Sequence, residues 1–129
     1  MLRLKRAYEP AAGSDGRRIL IDRLWPRGVS KRRAAIDEWM KDIAPSTQLR
    51  RWFAHDPARW PEFQRRYKRE LAERRDELRR IAALASRGRV TLVYAARDEA
   101  HSDAVVLAAI VRGRMKRRTL KARAKRRPQ

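Results

Sequence analysis

Hydrophobic positions change their period several times along the chain, and each period predicts a different element. Residues 2–5 alternate between leucine and a basic residue, the period-two pattern of a strand with one buried face. Residues 18–24 and 90–96 each contain a continuous apolar run, which is typical of strands that are covered on both faces. The pattern therefore predicts three strands.

Helical spacing separates these strands. Over residues 30–45, apolar side chains recur at i, i+3, i+4 and i+7, which predicts one helix that ends at a proline. Ser46 is placed to cap a shorter helix, an apolar stripe over residues 61–88 predicts a long one, and another begins near Ala104. The order of elements predicts an α/β domain, in which a small, mainly parallel sheet of about three strands is flanked by about four helices.

Two of the predicted strands end in polar turns. The first turn reads D-R-L-W-P-R-G over residues 22–28, and Tyr94 begins the stretch Y-A-A-R-D-E-A-H that contains the second. Ligands of open α/β sheets bind at the carboxyl ends of strands, and both turns open on that edge if the two strands are parallel neighbours. Arg23 and Arg27 would then clamp a phosphate or carboxylate, with Trp25 and Tyr94 as walls. The alternative is a core tryptophan flanked by solvated arginines.

The same edge of the sheet also has histidine and aspartate residues that are candidates for proton transfer. His101 and Asp98 are a candidate general base and its orienting carboxylate, and His55 lies in an H-D-P turn. Helix capping and hydrogen bonds to the backbone are the structural alternatives, so the sequence leaves open whether the protein is an enzyme. Two histidines and a carboxylate could form a metal site, but no spaced metal motif supports one. Glycine-rich phosphate loops are absent as well, so no particular cofactor is indicated.

Charge divides the chain into two parts. Its 35 Lys and Arg residues outnumber 15 Asp and Glu residues, giving a net charge of +20. Half of this excess lies in residues 112–129, which contain no acidic residue, so we expect a domain over residues 1–111 and a disordered basic tail over 112–129. Such a tail would bind nucleic acid through counterion release, or would be an incidental extension that aids solubility. Its basic residues are Arg112, Arg114, Lys116, Arg117, Arg118, Lys121, Arg123, Lys125, Arg126 and Arg127.

Cysteine usage and hydropathy limit the remaining possibilities. The chain has no cysteine, which excludes disulfides, thiolate metal sites and cysteine nucleophiles. Its first residues lack the apolar stretch of a signal peptide, and the longest apolar run, residues 104–111, is too short for a membrane span. We therefore expect a cytoplasmic protein without membrane contact. The sequence does not indicate an oligomeric state.

Three long motifs resemble those of the bacterial YeaO-like family, a domain of unknown function (DUF488). They are D-R-L-W-P-R-G at residues 22–28, W-M-K-D-I-A-P-S-T-Q-L-R-R-W-F-A-H-D-P at 39–57 and V-Y-A-A-R-D-E-A-H at 93–101. The resemblance spans Leu2 to about Val111 and implies a compact α/β domain, without supplying a cofactor or a catalytic assignment. This chain has Ser102 and Asp103 where the family usually has two asparagines. The sequence thus predicts a small-anion-binding domain, with a nucleic-acid-binding accessory protein as the alternative.

Overall fold

A four-stranded parallel sheet forms the centre of the protein, seen in a computed structural model that describes residues 1–126. In spatial order the strands are β1, β4, β2 and β3, and every neighbouring pair is parallel. This confirms the predicted α/β class and its parallel sheet, with four strands instead of about three. The strands are β1 (Leu2–Arg6), β2 (Arg17–Leu20), β3 (Glu38–Trp39) and β4 (Val90–Tyr94).

Five α-helices connect and cover the strands. They are α1 (Lys31–Ala34), α2 (Thr47–Phe53), α3 (Trp60–Leu71), α4 (Arg75–Arg87) and α5 (Asp103–Arg126). Short 3₁₀ turns lie at Gly13–Asp15, Lys41–Ile43 and Pro57–Arg59. The apolar stripe predicted as one helix over residues 61–88 forms two, α3 and α4, and the break coincides with a gap in the stripe at residues 72–74.

The core lies mainly on one face of the sheet. Alternate residues of the central strands, such as Ile19 and Leu92, pack there against α3, α4 and α5, with the fully buried Tyr67 of α3 among them. A smaller cluster on the opposite face contains Leu20 and Val93, covered by partly buried aromatic side chains. Both central strands are therefore buried on both faces, as their continuous apolar runs predict.

The segment predicted as one helix over residues 30–45 folds differently. Ala35, with a left-handed φ of 48°, ends α1 after one turn. The next residues extend along β2: the Asp37 amide donates to Arg18 O at 2.9 Å, and the Met40 amide donates to Leu20 O at 2.9 Å. The prediction was wrong because the edge of β2 needs hydrogen-bond partners, and satisfying that edge outweighed a helical spacing of apolar residues.

Helix α5 also departs from its prediction. We expected order to end near residue 111, but the helix runs without interruption through Arg126, while Arg127 lies outside the described residues. Residues 112–126 are mostly strong helix formers, and the packed first half of α5 supplies the costly nucleus, so each further residue only propagates the helix. No helix in residues 1–126 has both the length and the apolar character needed to cross a bilayer.

Candidate functional site

The two polar turns meet at one edge of the sheet. Strands β2 and β4 are parallel neighbours, with Leu20 opposite Val93, so the first turn (residues 22–28) and the second turn (residues 95–101) leave the same carboxyl edge. A cavity of about 930 Å³ opens there, lined by residues of both turns, the start of α2 and the start of α5. The predicted convergence of the two turns is therefore present.

Arg23 is the innermost of the predicted arginines. Its side chain is half-buried, and Nη2 makes only long contacts of 3.4 and 3.5 Å to the carbonyl oxygens of Ala44 and Pro45. Its Nε atom is buried and has no hydrogen-bond partner among the described residues. Since a buried N–H without a partner costs free energy, Arg23 has an unused donor at the cavity.

Arg27 and Trp25 lie further out. Arg27 is exposed and lines the cavity, and its carbonyl oxygen accepts a hydrogen bond from the Tyr8 hydroxyl at 3.3 Å. Trp25 also lines the cavity, but its indole N–H donates to Val29 O at 2.6 Å and its ring contacts Trp39 edge-on at 5.5 Å. Trp25 thus serves both as part of the wall and as packing for the smaller apolar cluster.

Tyr94 does not line the cavity. It is 4% exposed and belongs to the main core, on the same face of β4 as Val90 and Leu92. The strand pleat explains this position, because alternate residues point to the same face and Tyr94 is two residues after Leu92. The residues on this side that line the cavity begin directly after β4, at Ala95.

The predicted histidine–aspartate pair is formed. His101 Nδ1 lies 2.8 Å from Asp98 Oδ2, and the His101 amide donates to Asp98 Oδ1 at 3.1 Å. The imidazole of His101 beside it lowers the pKa of Asp98. Trp60 packs edge-on against the His101 ring at 5.3 Å, so the ring is held from two sides. This geometry is compatible with proton transfer and equally with a structural turn.

His55 also lines the cavity. It follows α2 in an unusual backbone conformation, because Ala54 and His55 both have left-handed φ values, of 46° and 57°. The Phe53 ring lies 6.3 Å from the His55 ring and forms part of the apolar wall of the cavity. Within residues 1–126, no group of three or more His, Asp or Glu side chains is arranged to hold a metal ion.

Two aspartates at the cavity were not predicted as site residues. Asp22 Oδ2 accepts a hydrogen bond from the Ala95 amide at 2.9 Å and so joins the ends of β2 and β4. Burial raises the pKa of Asp22, and burial together with the nearby Asp22 carboxylate raises the pKa of Asp103 to about 7. The charge of Arg50, which also lines the cavity, opposes both increases. At neutral pH the Asp103 carboxyl is therefore about half protonated, whereas an ordinary aspartate would have lost its proton.

The predicted nucleic-acid-binding residues from Arg112 to Arg126 are not among the residues that line this cavity. They occupy the C-terminal part of α5. Arg112 Nη2 donates to Leu2 O at 3.1 Å, which places it at the amino edge of the sheet. The two predicted binding regions are thus at opposite ends of α5.

Together, the fold and the cavity define a small parallel α/β domain with an open, arginine-rich pocket at the carboxyl edge of its sheet. Residues 1–129 match a family model described as "Inactive DUF488-N3 subclade". The chain therefore belongs to the DUF488 family, in its YeaO-like branch. This confirms the resemblance seen in the sequence motifs.

Relatives from two bacterial groups are similar over nearly their whole length. "Uncharacterized protein YeaO" of Escherichia coli (strain K12) is 45% identical over 107 residues, which are 83% of this chain and 93% of the relative. "Uncharacterized protein Rv3073c" of Mycobacterium tuberculosis (strain ATCC 25618 / H37Rv) is 42% identical over 113 residues, or 88% and 95% of the two chains. No solved structure matches the chain significantly.

Proposed function

We propose that the protein binds a small organic anion, carrying a phosphate or carboxylate group, in the cavity at the carboxyl edge of the sheet. The observation that carries the proposal is the half-buried Arg23, whose Nε donor is buried without a partner at the cavity. A guanidinium has a planar fork of N–H groups that matches phosphate and carboxylate oxygens. An anion that reaches Arg23 would satisfy this donor and gain a charge-assisted hydrogen bond.

The charges around Arg23 support an anionic ligand. The cavity is lined by five arginines and three aspartates. Within residues 1–126, none of these arginines has a carboxylate oxygen within 4.0 Å of its side-chain nitrogens. None of these guanidinium groups is therefore held in a salt bridge, so they remain available to a ligand. The five are Arg23, Arg27, Arg50, Arg51 and Arg97.

The size and lining of the cavity favour an organic ligand over a bare inorganic ion. A volume of about 930 Å³ is at the upper end of ordinary small-molecule sites. Phe53, Phe63 and Pro45 supply apolar wall, which a ligand with a hydrophobic body would cover. The partial protonation of Asp103 at neutral pH reduces its repulsion of the anion.

Binding, and not catalysis, is the role we propose. The family description contains the word "Inactive", and the contact between His101 and Asp98 is also what a stable turn before α5 requires. We therefore place Arg23 and Arg27 as ligand-binding residues, with Trp25 as part of the wall. His55 and His101 line the cavity as polar contacts for the ligand.

Titration calorimetry with phenyl phosphate and inorganic phosphate tests this proposal. Phenyl phosphate should bind more tightly than inorganic phosphate, because only its ring can cover the apolar wall. Arg23→Gln should weaken phenyl phosphate binding about tenfold or more, since a hydrogen bond to a charged group contributes roughly 1.5–3 kcal/mol. Arg23→Lys should also lose affinity, because an ammonium lacks the planar fork.

Arg33→Gln is the matched control, since Arg33 is exposed on α1 and does not line the cavity. Non-specific binding of phosphate to the basic half of α5 is equal in all these variants, so it cancels in the comparison. Equal affinity of the native protein and both Arg23 variants for phenyl phosphate would rule out the proposed site.

A further inference from the structure

The C-terminal part of α5 extends beyond the domain. Val111 is fully buried, Arg112 is bonded to the first residue of β1 and Met115 packs against the main core, whereas residues 116–126 are exposed apart from a half-buried Ala122. We call residues 112–126 the α5 arm. At 1.5 Å per residue, the arm is a helix about 22 Å long.

The α5 arm is basic and its charges are not neutralised. It contains nine Lys or Arg residues and no Asp or Glu. Within residues 1–126, none of these nine has a carboxylate oxygen within 4.0 Å of its side-chain nitrogens. A helix with this charge density attracts a polyanion, and the arrangement of the charges indicates which one.

The basic side chains form two stripes on nearly opposite sides of the arm. With 3.6 residues per turn, one stripe contains four positions and the other contains five. Uncharged residues lie between the stripes, with Gly113, Leu120 and Ala124 on one side and Met115 and Ala122 on the other. The first stripe consists of Arg112, Lys116, Arg123 and Arg126, and the second of Arg114, Arg117, Arg118, Lys121 and Lys125.

Two opposite stripes match the geometry of a DNA major groove. The major groove of B-form DNA is about 12 Å wide and admits an α-helix, with a phosphate backbone on each side. A helix lying there can direct one basic stripe to each backbone. The major groove of A-form RNA is too narrow for such a helix, so duplex DNA fits the arm better than duplex RNA.

The arm lacks the features that other polyanions would need. A helix that binds a lipid surface presents a broad apolar face, but the arm has one exposed large apolar residue, Leu120, at 54% exposure. Proteins that bind single strands stack the bases on aromatic side chains, and residues 112–126 contain none. Because the cations are placed for the two backbones, the base edges face residues without charged side chains and sequence is not read.

We propose that the α5 arm binds double-stranded DNA without sequence preference, lying in the major groove with a basic stripe against each phosphate backbone. This surface is independent of the anion pocket at the other end of α5. The whole protein then attaches to DNA through the arm, and the cavity remains open to its ligand.

Fluorescence anisotropy with a duplex of arbitrary sequence, measured over a range of salt concentrations, tests both stripes. One variant changes Lys116, Arg123 and Arg126 to Gln, and the other changes Arg117, Lys121 and Lys125 to Gln. Each should reduce the slope of log affinity against log salt by about 2.7, since each phosphate contact contributes about 0.9. The sixfold variant, which carries both sets of substitutions, should reduce this slope by about twice as much.

The control variant changes Lys31, Arg32 and Arg33 to Gln, removing the same charge from exposed positions on α1. It should leave the salt slope almost unchanged. The groove proposal is overturned if only one of the two stripes affects binding, or if the α1 variant loses as much affinity as a stripe variant.

Thr119 allows the helical form of the arm to be tested without changing its charge. Thr119→Pro removes a helical hydrogen bond and breaks the arm, so duplex affinity should fall roughly tenfold. Thr119→Ala is the control and should bind like the native protein, since it loses only the exposed bond from the Thr119 hydroxyl to Met115 O. Equal binding by the proline variant would mean that a flexible basic tail suffices, which contradicts groove binding.

Competing polyanions complete the experiment. The full chain should bind the duplex more tightly than a single strand of the same sequence, a duplex RNA, or vesicles containing phosphatidylserine, all at one salt concentration. Equal or tighter binding of any of these three would overturn the assignment to double-stranded DNA.

Discussion

The protonation of Asp103 affects both the charge of the cavity and the stability of the protein. Burial and the neighbouring Asp22 raise its pKa to about 7, while an unfolded aspartate keeps a value near 3.8. Between these two values the folded protein holds a proton that the unfolded chain has released. Stability contributed by this group must therefore fall as the pH rises from about 4 to about 7.

Asp103→Asn should remove this loss. We expect the stability difference between the variant and the native protein to shift in favour of the variant from pH 5 to pH 8, by on the order of 2 kcal/mol. Urea unfolding at the two pH values measures the difference, with Asp42→Asn, an exposed site outside the cavity, as the control. If Asp103→Asn is destabilising by the same amount at both pH values, Asp103 acts only at the start of α5 and its titration does not affect folding.

Residue type and position along the chain predicted part of the cavity. Arg23, Arg27 and His101 stood out because cationic and imidazole side chains follow strand ends, and all three line the cavity. Arg50 was not predicted, since its place depends on how α2 packs against the sheet edge. Asp22 was overlooked because an acid after a strand is common, and its pKa is raised only when folding buries the carboxyl group.

The connection from α1 to β3 is the element at which the sequence misled most. Apolar side chains at helical spacing over residues 36–43 predicted a helix, yet they divide between the two faces of the sheet. Ile36 and Trp39 pack on the smaller cluster, whereas Met40 and Ile43 belong to the main core. The period was ambiguous in so short a segment, and the pairing with β2 decided the outcome.

Ala35 provides a test of this connection. Its left-handed φ of 48° strains an alanine but not a glycine, so Ala35→Gly should stabilise the protein by about 0.5–1 kcal/mol. Ala83→Gly, within α4, should instead destabilise it by about 1 kcal/mol, because glycine weakens a helix interior. Thermal or urea unfolding of both variants measures the two changes. A destabilised Ala35→Gly variant would show that α1 continues as a helix, as the apolar spacing had predicted.

For helix α5, the amino-acid composition gave the charge correctly but not the local structure. The absence of acids and the low hydropathy of residues 112–129 suggested disorder, but composition ignores the folded neighbour that nucleates a helix. Charge and exposure were foreseeable, whereas the two opposite stripes became visible only once the residues were placed on one continuous helix.

At the scale of the whole molecule, α5 connects two sites of different chemistry. Asp103 begins the helix at the cavity, and the α5 arm ends it beyond the amino edge of the sheet. A helix of this length spans about 36 Å, so changes at one end should not alter the other.

Independence of the two sites can be measured with variants already described. Arg23→Gln should leave duplex DNA affinity unchanged within error. In the sixfold arm variant, adding Arg23→Gln should weaken phenyl phosphate binding by the same factor as it does in the native protein. Anisotropy and calorimetry report the two affinities. Loss of duplex binding in Arg23→Gln would mean that DNA contacts the cavity and that one extended site replaces two.

A crystal structure of the full chain soaked with phenyl phosphate tests the central claim most directly. We predict electron density for the phosphate group within hydrogen-bond distance of Arg23 Nε, with the phenyl ring against the apolar wall near Phe53. A cavity that contains only water under these conditions, while phosphate occupies the α5 arm, would contradict the assignment of the cavity as the anion site.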